Sequence, residues 1–356
     1  MDKRVLVLGA GTGASNNLIR SLKAGDASLT IVGAHDDRFV LKKSAADRHY
    51  LMPRSGHRRF ADALARLVER ERIDVVLPGS DADVTGLSDL RDRLPGVLFL
   101  PGPDTVRLCQ DKYELTRFLR ARGVPAPLTV PVTGLDALGD AFEQLGPCDR
   151  VWCRIRRGTG STGATSVRTV EQARAWIGYW QDMRGVPADL FTISEYLPGR
   201  DFACQSVWKD GIPYALRSCE RLAYYGGAHR ASGVSSTPSL ARTVRDGRVA
   251  AVCRDAILAL EAGAAGVFAV DLKENAAGVP CVTEINAGRF FMITNIFDLT
   301  GPTNLAALFV RLASGESVAP AGDDDAGEHY LVRDLDTVPG IYAADDLFTG
   351  VEEVRI

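Results

Sequence analysis

One stretch, Gly266 to Arg289, limits the possible folds more than any other part of the chain; it reads GVFAVDLKENAAGVPCVTEINAGR. An apolar run (Val267, Phe268, Ala269, Val270) meets the turn-formers Asn275 and Gly278 and leaves through Val279, Cys281, Val282 and Ile285. That pattern predicts a two-stranded antiparallel ribbon. A turn centred on Ala276 and Ala277 sets Asp271 opposite Val282, with Glu284 one diagonal step away on the same face. Strand side chains alternate, so Asn286 points to that side as well. Diagonal neighbours lie roughly 7–8 Å apart at the backbone, and side chains can close that span onto a metal pair about 3.5–4 Å apart. Two carboxylates and an amide oxygen form a hard-oxygen set suited to Mg2+ rather than zinc. Arg289 follows closely and suits phosphate oxygens. The plainer reading is a half-solvated hairpin whose polar face looks at water.

The chain opens with a buried-type strand, residues 4–8, then GAGTGA at 9–14, a helix from Ser15 to Lys23 and a second strand ending near Gly33. This βαβ opening matches the dinucleotide fingerprint only with alanine in the last position. The acid that should follow the second strand is displaced to Asp36 or Asp37, which counts against NAD. A helix around Phe60–Arg72 and strands at 74–80 and 97–103 extend an open, mostly parallel sheet. Loops at the carboxyl ends of such strands hold ligands, so Asp81 and Asp83 either touch a substrate amine or cap the next helix. DKYELTRFLRARGVPAP, from Asp111, predicts an amphipathic helix ended by Gly123 and the prolines after it.

Two further segments carry chemistry. Residues 151–167 predict a strand with Arg154 and Arg156 running into Gly158-Thr159-Gly160-Ser161-Thr162-Gly163. Such a loop can lay backbone N–H groups against a polyphosphate, though it lacks the Walker form; the plainer reading is a flexible hairpin tip. In 191–207 two strands flank Leu197-Pro198-Gly199, leaving unpaired backbone groups able to read an adenine edge between the walls of Tyr196 and Leu197. Residues 214–237 gather Arg217, Arg221, His229 and Arg230 near paired tyrosines.

Composition excludes more than it assigns. A net charge of −3 gives no general attraction to nucleic acid or to an anionic membrane. Seven cysteines, without any CxxC pair, argue against a disulfide framework or a zinc site and suit a reducing cytoplasm. No apolar run approaches ~20 residues, and the N-terminus has no signal-peptide pattern; the expected location is cytoplasmic.

Taken in chain order, Asp111-Lys112 with its closing Gly-Val-Pro, Arg154 with the glycine loop, Glu195…Gly199…Asp201, Asp271, and Glu284-x-Asn286 resemble the ATP-grasp superfamily, in the branch of the carbamoyl phosphate synthetase large subunit. The resemblance runs to about residue 315. It implies an α/β and α+β architecture: a Rossmann-like domain at 1–110, a small lid domain at 111–195, a larger antiparallel-sheet domain at 196–320 and a tail at 321–356. It implies ATP as cofactor, with Lys112 and Arg154 at the phosphates and Gly160, Ser161, Thr162 and Gly163 as the lid. Glu195, Tyr196 and Leu197 then face the adenine, and Asp201 the ribose hydroxyls. Asp271, Glu284 and Asn286 hold two Mg2+ ions, for which Mn2+ can substitute. Arg289, Arg221 and Arg217 are the implied catalytic residues, holding an acidic substrate and the transferring phosphoryl group. The sequence departs from the pattern in three places: Arg154 stands where Lys-Pro is usual, aspartate replaces glutamate at Asp201, and Arg289 stands three residues after Asn286 rather than two.

The activity so implied is an ADP-forming carboxylate–amine (less often thiol) ligase acting on small molecules, with a homodimer allowed. The alternatives are a nucleotide-binding regulatory protein that has lost turnover, and an NAD-dependent dehydrogenase using the N-terminal glycine loop.

Overall fold

The computed structural model describes residues 3–158, 160–229, 235, 237–321, 327–334 and 340–346. The N-terminal unit alternates strands and helices: β1 (Arg4–Leu8), α1 (Gly13–Gly25), β2 (Thr30–His35), α2 (Arg38–Leu41), β3 (Arg48–Leu51), α3 (Phe60–Glu71), β4 (Val75–Leu77) and α4 (Asp81–Ser88). Its four strands are parallel, in the order β3-β2-β1-β4. The winding reverses between β1 and β4, the switch point at which ligands gather in such sheets. The strand expected at 97–103 does not form. Val97 O accepts one bond from Val76 N (2.9 Å), but Pro101 and Pro103 have no N–H with which to continue a ladder.

Two helices, α5 (Pro103–Cys109) and α6 (Lys112–Ala121), lead to a second unit. It comprises β5 (Thr129–Pro131), α7 (Leu138–Leu145), β6 (Val151–Ile155), β7 (Thr165–Val167), α8 (Val170–Arg184) and β8 (Phe191–Glu195), with sheet order β5-β8-β6-β7. Its own small core holds Val130, Leu138, Val151, Ile177, Phe191 and Ile193. Asp111 caps α6 by accepting from Glu114 N (3.1 Å). Thr169 caps α8, and Gly185 ends it in the left-handed region at φ 64°.

The third unit is a seven-stranded sheet in the order β13-β12-β9-β10-β11-β14-β15. Its elements are β9 (Asp201–Lys209), β10 (Ile212–Tyr224), β11 (Pro238–Val244), α9 (Gly247–Leu260), β12 (Gly266–Glu274), β13 (Pro280–Ala287), α10 (Asn295–Asp298), α11 (Leu305–Ala313), β14 (His329–Val332) and β15 (Gly340–Ala343). The strands of the stretch after residue 321 therefore extend this sheet. Alternation divides the inner strands between two cores. Phe268, Val270 and Leu272 pack with α9, each such burial contributing about 1.5–3 kcal/mol. Val267, Ala269, Ala203 and Cys219 face α11 and the N-terminal unit. Asp271 is next in that second series, so it faces the space between the units. Six of the seven cysteines are buried and Cys148 is exposed, all as free thiols. Among the described residues no helix is long and apolar enough to cross a membrane.

Candidate active site

The ribbon forms with a register different from the expected one. Gly278, at φ 73°, donates to Asn275 O (3.0 Å) to close the turn, and Leu272 pairs with Val282. One step on, the pairing slips at Thr283, so Asp271 stands directly opposite Glu284, not opposite Val282. The extra residue is a β-bulge, a device that re-aims side chains. Strict alternation would place Val282 and Glu284 on one face. The bulge turns the strand instead: Val282, Ile285 and Ala287 stay in the α9 core, while Glu284 and Asn286 join Asp271 on the opposite face. Directly opposed residues approach to about 4.5–5.5 Å between Cβ atoms, closer than the diagonal spacing expected. Thr283 Oγ1 donates to Asp271 O (3.1 Å), and Arg154 Nη2 donates to Thr283 O (3.0 Å), so the bulge is fastened from both sides.

Fixed cations surround the two carboxylates. Lys112 Nζ lies 3.6 Å from Glu284 Oε2 and donates to Gly158 O (2.7 Å), joining the ribbon to the glycine loop. Arg154 is buried on β6, and its Nε has no hydrogen-bond partner among the described residues. Burial pulls its pKa down, against the fields of Glu284 and Asp271. Arg221 Nη1 donates to Asp271 Oδ1 (2.6 Å) and its Nε to Asp201 Oδ1 (2.7 Å). Burial opposes the charged guanidinium, but Asp201 and Asp271 outweigh it and raise its pKa. Burial also pushes the Asp271 carboxyl up, with Arg221 pulling the other way. Three carboxylates (Asp201, Asp271, Glu284) thus face three cations (Lys112, Arg154, Arg221).

The remaining candidates fall into place unevenly. Asp201 is taken within the protein: Arg221 holds one oxygen, and the Tyr224 hydroxyl donates to the other (2.6 Å). This differs from an acid open to ribose hydroxyls, and Tyr224 is the first of the paired tyrosines. Glu195 Oε2 accepts from Leu128 N (2.7 Å), Arg150 lies over the Tyr196 ring at 4.9 Å, and Leu197 is buried. Arg217 sits in the middle of β10 opposite Gln205, so near Gly301 that an added Cβ there would stand 2.4 Å from its Nη1. Of the expected arginines, Arg221 meets the ribbon carboxylate Asp271, and Arg289 donates to Asn286 Oδ1 and to Asp81. Ser161 adopts φ 55° within the loop, between Gly160 and Gly163, which have positive φ as well. The Trp176 indole N–H donates to Gly163 O (2.9 Å), tying the loop to α8. His229 is exposed; Thr159 and Arg230 lie outside the described residues.

At the N-terminal glycine loop, Gly11 has φ 93°, and a Cβ there would stand 1.9 Å from Val40 O. The approach of α2 therefore accounts for that glycine. Asp37 caps α2, accepting from Phe39 N (2.7 Å) and Val40 N (3.1 Å); both facts run against the dinucleotide reading. Asp83 accepts from Ser80 Oγ (2.8 Å) and Gly79 N (3.2 Å), and from Ser55 Oγ, so it serves the start of α4.

The residues fit a metal–nucleotide group. Among the described residues no three His, Cys, Asp or Glu side chains gather as a metal cluster, but two opposed carboxylates beside an amide oxygen suit a hard cation that keeps water ligands. The orphaned, buried Arg154 Nε beside them suits an anionic oxygen. A three-unit fold with a cation-ringed acidic ribbon defines a class, the ATP-dependent ligases. The chain belongs to the ATP-grasp family, whose ATP-grasp domain model matches residues 109–290. A probable alpha-L-glutamate ligase of Stenotrophomonas maltophilia (strain R551-3) is 29% identical over 221 residues, 60% of this chain and 70% of that protein. Among solved structures, the biotin carboxylase–β-γ-ATP complex of Campylobacter jejuni has TM-score 0.70 at 12% identity, covering 93% of this chain and 75% of that one. The L-amino acid ligase of Bacillus licheniformis has TM-score 0.66 at 13% identity, covering 93% and 79%. At these identities the structural likeness establishes the fold.

Proposed function

We propose that the chain is a carboxylate–amine ligase that uses ATP to form an acyl phosphate and releases ADP and phosphate. The observation that carries this reading is the direct opposition of Asp271 and Glu284, with Asn286 on the same face, inside a ring of buried cations. Mg2+ held by Asp271, Glu284 and Asn286 would neutralise the β- and γ-phosphates during transfer. Lys112 and Arg154 hold phosphate oxygens, and Lys112 carries the glycine loop with it through Gly158. Arg221 fixes the Asp271 carboxylate, and Arg289 meets the charge that develops on the substrate.

The reaction runs in two displacements. A substrate carboxylate oxygen attacks the γ-phosphorus as the bond to ADP breaks. The loop excludes water from the acyl phosphate. An amine nitrogen then attacks the acyl carbon, the bond to phosphate breaks, and the departing phosphate takes the amine proton. The relatives named as a probable alpha-L-glutamate ligase and an L-amino acid ligase support an amino acid among the substrates.

The test is ADP release from Mg-ATP against pooled amino acids and small carboxylic acids, with mass analysis of the active pool. Turnover to ADP, without AMP, in at least one pool is the expected result. Tight Mg-ATP binding without ADP release in any pool contradicts it and leaves a nucleotide-binding regulator.

A further inference from the structure

We propose that Asp81 is a positioning residue for this reaction, acting through Arg289 and so tying the N-terminal unit to the metal-binding ribbon. The inference rests on the ligase reading and adds to it a residue from a different unit.

Asp81 opens α4, yet among the described residues the hydrogen bonds that cap the helix start come from Ser80 and Asp83. Ser80 Oγ accepts from Asp83 N (3.1 Å), and the Asp83 carboxylate returns to Ser80 Oγ (2.8 Å) and Gly79 N (3.2 Å). With the cap complete, the Asp81 carboxylate reaches a guanidinium 208 residues away, accepting from Arg289 Nε, while Arg289 Nη2 donates to Asn286 Oδ1. Two donors of a rigid planar fork are thereby fixed, and Nη1, which has no hydrogen bond among the described residues, is left for a substrate oxygen. The pair is largely shielded from water, with side chains 28% and 19% exposed, so it is screened less than a surface ion pair.

The backbone at Asp81 is pinned too. Its carbonyl accepts from Gln110 Nε2 (3.1 Å) and Thr85 Oγ1 (3.1 Å). Gln110 precedes Asp111 and Lys112, the lysine that approaches Glu284. The end of the ribbon rests on the same helix: Gly288 has φ 91°, and a Cβ there would stand 3.0 Å from Val84 Cγ1. One helical turn therefore touches both routes to the metal face, Lys112 to Glu284 and Arg289 to Asn286. An arginine on free rotors would sample many placements, and a misplacement of about 1 Å can cost ~10²-fold in rate.

The experiment compares wild type, Asp81→Asn, Asp81→Glu, Arg289→Lys and the double variant D81N/R289K, using a pool on which the wild type releases ADP. We expect D81N to lower kcat by roughly 10–100-fold, with KM for ATP, Mg-ATP affinity and Tm close to wild type. D81E restores part of kcat, and it carries the test if D81N melts early. The double variant is no slower than R289K alone, because two residues acting as one unit do not add. The proposal is overturned if D81N turns over like wild type, if its loss multiplies with that of R289K, or if it chiefly loses Mg-ATP binding. Those results leave the ligase reading standing; a wild type silent on every pool removes both.

Discussion

Glu284 is the ribbon carboxylate that meets Lys112. It faces Asp271 across the ribbon, lies 3.6 Å from Lys112 Nζ, and its charge opposes the downward pull of burial on the Arg154 pKa. Glutamine keeps its shape and removes its charge, so Glu284→Gln separates chemistry from folding. ADP release should fall by roughly 10²-fold or more, while the melting temperature stays near that of wild type. Unchanged turnover in that variant, measured by a coupled ADP assay, would show that the metal is held elsewhere. Arg221 and Asp201 tell a related story. Each reads from sequence as a ligand contact, and each is engaged first with the other. Their pairing depends on the twist and register of β9 against β10, which residue types do not encode.

Among the elements, the break between β8 and β9 leaves no room for a side chain at Gly199. Gly199 N donates to Glu274 O (3.0 Å), and a Cβ at Gly199 would stand 2.5 Å from Glu274 Cβ and 3.0 Å from its carbonyl oxygen. Gly199→Ala must push the two segments apart, at about 1–3 kcal/mol. The expected outcome is a lower Tm together with weaker Mg-ATP binding; an unaltered melt and affinity would remove the hinge from the account. The element order was largely legible from sequence, because glycines, prolines and apolar periods mark the βαβ opening, α6, β6 with its loop, and the ribbon. The bulge at Thr283 was not. Alternation alone places Val282 with Glu284, whereas the slip lets Val282, Ile285 and Ala287 all pack in the α9 core. The stretch 97–103 reads as a strand from its apolar residues, yet its prolines cannot sustain pairing. The contact of Asp81 with Arg289 joins positions so distant in the chain that no local pattern announces it.

At the scale of the whole molecule, three units meet at one face. The N-terminal sheet supplies Asp81, the small unit supplies Arg154 and the glycine loop, and the seven-stranded sheet supplies Asp271, Glu284 and Asn286. Each unit has its own hydrophobic cluster, and the cluster shared by the N-terminal strands, α11 and the inner strands of the large sheet sets the face between them. Motif order along the chain made this architecture readable, since the motifs come from the helix α6, the small unit's sheet and the seven-stranded sheet in turn. The most direct measurement is anomalous diffraction from crystals grown with Mn2+ and a non-hydrolysable ATP analogue. Manganese peaks within coordinating distance of Asp271, Glu284 and Asn286, with the analogue's phosphates beside Arg154 and Lys112, are the predicted result. Peaks anywhere else, with Glu284 still turned to Lys112, would contradict the account.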